Sequence, residues 1–81
     1  MGYHASKIPK GVLGTATKIT EEYLEFIDSI EQGNPVMALL ELSDLIGAIE
    51  QYAIKQHNVN LAKLIKMKDT TASAFKDGER K

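Results

Sequence analysis

Cysteine is absent from these 81 residues. That excludes a disulfide scaffold and any thiolate-held metal, and it inclines the reading toward a cytoplasmic protein. An excess of either charge is also missing, since ten Lys and Arg against eleven Asp and Glu leave a formal −1. Without a basic surplus to neutralise phosphates, no nucleic-acid partner is expected. Long apolar runs are lacking too. The longest, Val36 to Leu40, is five residues, against the ~20 needed to cross a bilayer, so no membrane partner is expected, and no basic-then-apolar leader opens the chain. What is present is ordinary for a globular chain: 43% apolar and 26% charged residues, too apolar for disorder. The whole of 1–81 reads as a single small domain. A chain this short buries a small core and usually needs a disulfide, a metal or a partner subunit. With disulfides excluded, a homo-oligomer is expected.

The near-neutral total hides a segregation. Residues 1–20 carry Lys7, Lys10 and Lys18. Residues 21–50 carry Glu21, Glu22, Glu25, Asp28, Glu31, Glu41, Asp44 and Glu50 without one Lys or Arg, and residues 51–81 carry seven bases against three acids. Eight carboxylates with no base among them cannot be helix-surface pairs of opposite sign. Their compensation must come from the basic C-terminal third, from solvent or from bound cations.

Periodicity gives an all-α chain of three helices. Gly2, Pro9, Gly11 and Gly14 mark residues 1–14 as a mobile N-terminal arm. The first helix is expected from about Thr17 to Gln32, with Ile19, Tyr23, Phe26, Ile27 and Ile30 at helical spacing. Gly33 stops it, and Asn34–Pro35 starts the next, with Asn as N-cap and Pro at the first helical position. This second helix, from Pro35 to about Gln56, is apolar on most sides and is the expected buried central element. His57–Asn58 ends it, Asn60 caps a third helix from Leu61 to about Phe75, and Gly78 closes that one. No segment alternates with period two, so strands are not expected.

Glu22 and Glu25 stand three apart on the first helix, and Glu41 and Asp44 repeat the spacing on the second. The short connection at Gly33–Asn34 folds the two into an antiparallel hairpin, which brings the two pairs toward one volume. Clustered carboxylates repel unless they are protonated or hold a cation. All-oxygen donors favour Mg²⁺, Mn²⁺ or Ca²⁺. An acidic run at a helix start is ordinarily dipole decoration on a solvated face. Against that plain reading, Glu41 and Asp44 share their face with Met37, Leu45, Ala48 and Tyr52, and the counter-charges are missing. Glu22 and Glu25 instead border the apolar stripe beside Phe26 and Ser29. Glu21 points further out, as an auxiliary ligand or a base for water.

Glu21-Glu22-x-x-Glu25 followed by Glu41-x-x-Asp44 resembles the signature of the all-α nucleoside triphosphate pyrophosphatases. That superfamily includes MazG proteins, dimeric all-α dUTPases and phosphoribosyl-ATP pyrophosphatases. The stretch from Glu41 to Glu50 is similar to short MazG-like proteins of phages and bacteria, and so is the ending Thr71-Ala72-x-Ala74-Phe75-x-x-Gly78-x-Arg80. The likeness spans roughly residues 8–80.

The resemblance implies Mg²⁺-dependent (or Mn²⁺-dependent) hydrolysis of a nucleotide substrate between its α and β phosphates, giving monophosphate and pyrophosphate. Glu22, Glu25, Glu41 and Asp44 match the family's metal ligands. Glu21 or a neighbouring carboxylate takes the proton of the attacking water. Phosphates also need cations. Lys66 and Arg80 are the first candidates, with Lys18 just before the acidic run, and Lys63, Lys68 and Lys76 behind them. Tyr52 is a candidate for stacking on a base, though core packing is its plainer role. His57 suits a helix C-terminus, His4 an ordinary terminus, and Met37 and Met67 gap-filling core. The family's functional unit is a four-helix arrangement made by association, so three helices per chain imply a homodimer or homotetramer. Two alternatives stand beside this: a phosphoribosyl-ATP pyrophosphatase-like activity, and a nonenzymatic oligomer that senses nucleotides or binds a partner.

Overall fold

The computed structural model describes residues 7–76, with side chains as far as Ser73. Within them the chain is all-helical: α1 spans Ala16–Glu31, α2 Pro35–His57 and α3 Leu61–Lys76. Each boundary falls within a residue of the expectation. His4, Gly78 and Arg80 lie outside the described residues, as do the side chains of Phe75 and Lys76. No described helix is long and apolar enough to cross a membrane.

The turn between α1 and α2 is fixed by local chemistry. Gly33 takes the left-handed conformation at φ 69°, which favours glycine. Its N–H donates to the Ile30 carbonyl and that of Asn34 to the Ser29 carbonyl, each over 3.0 Å, a Schellman closure that satisfies the last carbonyls of α1. Asn34 then serves α2: its Oδ1 accepts the Met37 N–H at 3.1 Å, with Pro35 at the first helical position. Two residues therefore end one helix and start the next, and the reversal lays α1 along α2 as an antiparallel hairpin. Asn58 ends α2 with φ 54°. Asn60 caps α3 by accepting the Lys63 N–H at 2.8 Å. α3 meets only the C-terminal half of α2, where Ile49, Tyr52, Ala53, His57, Val59, Leu64 and Met67 line an apolar pocket of about 360 Å³.

Of the arm expected over residues 1–14, the described residues Gly11, Val12 and Gly14 hydrogen-bond to the helices. Gln56 Nε2 donates to the Gly14 carbonyl at 2.9 Å. Val12 N–H donates to Thr17 Oγ1 at 3.0 Å. Gly14 is buried at φ 89° against the Lys55 side chain.

Burial is inverted relative to a self-sufficient domain. Among the described residues the buried apolar ones are Ala38, Ala48 and Ala53, whereas the polar Glu21, Glu22, Asp28, Ser29 and Glu41 are also buried. Meanwhile Val36 is 78%, Leu39 70% and Leu40 52% exposed. Met67, expected as core, is also exposed. α2 thus turns its acidic and alanine face toward α1 and its large aliphatic face outward. Hydrophobic burial supplies roughly 25 cal/mol per Å², and the chain has left much of its largest apolar surface unused.

Candidate metal centre

The antiparallel hairpin gathers carboxylates from two helices. Glu22, Glu41 and Asp44 each offer an oxygen, all within 4.8 Å of one another; Glu21, Glu22 and Glu25 form a second such group on α1. Glu22 belongs to both. The four residues expected as ligands are therefore brought together around that one side chain. Glu41 is fully buried and Glu22 is 7% exposed, while Asp44 at the edge is exposed. Small neighbours make this possible, because Ala38 and Ala48 on α2 let the helix backbones approach and leave room for acidic side chains between them.

The fit to a hard cation rests on one atom. Glu22 Oε1 is buried with no hydrogen-bond partner, an arrangement that is expensive for a carboxylate unless something positive completes it. The donors around it are all oxygens, the set that suits Mg²⁺ or Mn²⁺.

Glu21 has a different environment. Its Oε1 accepts the Gly11 N–H at 2.8 Å and the Lys18 ammonium at 3.0 Å, and Lys10 Nζ stands 3.8 Å from its Oε2. Burial pushes this carboxyl up, but the Gly11 N–H, the Lys18 hydrogen bond and the charges of Lys18 and Lys10 outweigh it and hold the group below its ordinary value. An anion so supported is a weak proton acceptor. Lys18 also reaches Glu22 Oε2 at 3.3 Å. Its hydrogen bond to Glu21, opposed by burial and helped by Glu22, raises it above the ordinary lysine value.

Of the expected phosphate partners, Lys18 meets the carboxylates, Lys66 is exposed on α3, and Arg80 lies outside the described residues. Tyr52 is half-buried in the α2–α3 pocket. Its ring centroid lies 5.6 Å from that of His57, and it sits about 12 Å along the helix axis from Asp44 at 1.5 Å rise per residue. The Gly11–Glu21 bond was not legible in the sequence. The Lys18 contacts correct the expectation that the acidic run is compensated only by the C-terminal third, solvent or bound cations; the signal was the spacing, since Lys18 precedes Glu21 and Glu22 by three and four residues. No known family, no curated protein and no solved structure matches the chain. The likeness to the pyrophosphatase signature therefore rests on the acidic residues and their spacing.

Proposed function

We propose that this chain is a Mg²⁺-dependent nucleoside triphosphate pyrophosphohydrolase that works as a homo-oligomer. The observation that carries the reading is the Glu22–Glu41–Asp44 group, with oxygens within 4.8 Å and a buried Glu22 oxygen left without a hydrogen bond. Glu22, Glu41 and Asp44 would hold the ion, with Glu25 beside them. When bound, the ion supplies positive charge for the phosphates and a water of lowered pKa. The chain's own residues do the rest. The hairpin excludes water from the inner carboxylates, the exposed Asp44 leaves the side facing the substrate open, and Lys18 adds a fixed ammonium at the rim. Glu21, held as an anion by the Gly11 N–H and Lys18, is a weak acceptor for the water's proton.

The occupant of the outward face of α2 is a second copy of this chain. Val36, Leu40, Gly47 and Ile54 recur at intervals of four and seven residues along one line of the helix, the spacing of a helix–helix seam. Nothing lies within 4 Å of where a Gly47 side chain would start, so a second helix can approach closely there. A self-complementary face of this kind closes around a two-fold axis, and the same association buries the aliphatics that the three core alanines leave exposed.

The test is pyrophosphate release from a panel of nucleoside triphosphates with Mg²⁺, by wild type and by Glu41→Gln. Release by wild type alone supports the reading. Release from phosphoribosyl-ATP only would narrow the substrate. Mg²⁺ binding without release from any nucleotide would sink the enzymatic reading and leave a nucleotide-sensing oligomer.

A further inference from the structure

The two carboxylate groups share Glu22, and the chain treats its two oxygens differently. Oε2 faces the Lys18 ammonium at 3.3 Å, while Oε1 has no hydrogen-bond partner. The same ammonium lies 3.0 Å from Glu21 Oε1, which the Gly11 N–H also engages. Within the outer group of Glu21, Glu22 and Glu25, a cation is thus already present and covalently attached to the chain. An ammonium has three N–H donors. Two are directed to Glu21 and Glu22, and the side chain is 26% exposed, which leaves the third for a further acceptor.

We propose that Lys18 takes the place of a second divalent ion at the Glu21–Glu22–Glu25 group, so that each chain binds one metal, at Glu22, Glu41 and Asp44, with the lysine supplying the other positive charge toward a phosphate oxygen. The proposal rests on the metal site argued above and fixes its stoichiometry. The charge logic is local. A divalent ion entering the outer group would have to displace an ammonium held by two buried carboxylates, or sit beside it against its repulsion. At the inner group, Glu22 Oε1 has no hydrogen-bond partner, and the Lys18 ammonium stands against the other oxygen, Oε2. Glu21 becomes a positioning residue, which holds the lysine and the 10–14 segment rather than the metal.

Calorimetric titration of the full-length chain with Mn²⁺ alone, without nucleotide, reads this directly. Wild type is expected to take up one Mn²⁺ per chain, Lys18→Met two, and Lys18→Arg, which keeps the charge, one. Two ions per wild-type chain overturn the proposal, and so does a single ion in a Lys18→Met protein that keeps its helical circular dichroism. If Lys18→Met does not fold, Lys18→Gln takes its place, and the wild-type count still decides between one ion and two. Wild type that takes up no Mn²⁺ fails differently: it removes the metal site itself, and this inference with it.

Discussion

Gly11 donates its backbone N–H to Glu21 Oε1 over 2.8 Å, across ten residues of chain. The contact requires glycine. A Cβ at position 11 would stand 2.3 Å from the Thr17 carbonyl oxygen, a backbone atom that cannot turn aside. Gly11→Ala is therefore expected to push the segment off α1, break the bond to Glu21, and destabilise the chain by about 1–3 kcal/mol, as overpacking does. For a domain of this size that lowers Tm by roughly 4–8 °C per kcal/mol. An unchanged melting curve would show that the segment does not hold the helix.

Acid and alkali should act on the same pair from opposite sides. The folded-state pKa of Glu21 lies below its ordinary 4.5, so its contribution is complete above 4.5 and is lost as pH falls through the folded value. That of Lys18 lies above its ordinary 10.5, so its contribution is complete below 10.5 and is lost as pH rises through the folded value. Melting across pH 3–11 should place the loss outside the window between those values. Glu21→Gln should flatten the acid limb. An acid limb identical to wild type would remove Glu21 from the account.

Glu41→Gln separates metal binding from folding. It neutralises one of three carboxylates packed within 4.8 Å of one another, so its Tm in chelator is expected to equal or exceed that of wild type, by several degrees if about 1 kcal/mol of repulsion is relieved. In wild type, Mg²⁺ at about 100 times its Kd should add about 2.7 kcal/mol of stability. In Glu41→Gln that increment should vanish together with pyrophosphate release. A clear loss of stability in chelator would mean that Glu41 is structural.

The outward face of α2 makes a prediction about mass. Wild type should sediment at two or more times the 8.9 kDa of one chain. Leu40→Glu, at a position 52% exposed in the single chain, should shift it toward one chain by placing a charge in the seam. If wild type sediments as a monomer, the second copy is not the occupant of that face.

Asn34 tests the hairpin. Asn34→Ala removes the acceptor of the Met37 N–H, which costs about 1 kcal/mol at an N-cap and so roughly 4–8 °C in Tm. Metal uptake per folded chain should stay at the wild-type value, because the cap lies outside the carboxylate group. Lost uptake in the folded variant would mean that the turn sets the geometry of the site.

The three helices and the turn between the first two were legible from local signals. Gly33, Asn34 and Pro35 act through backbone conformation and hydrogen bonds to neighbours in sequence, and such rules can be read residue by residue. The same holds for the pairing of Glu22 with Glu41 and Asp44, since helical spacing and one tight reversal leave little freedom. What only the tertiary structure decided was which groups the interior keeps and how each is completed. Periodicity suggested an aliphatic core, but the hairpin buries Glu41 and three alanines and leaves Val36, Leu39 and Leu40 outside. It also docks a segment that composition alone marks as loose, and ties Glu21 to Gly11 ten residues away. Burial and long-range hydrogen bonding depend on how two helices pack against each other, and that distance is set by side chains from both at once.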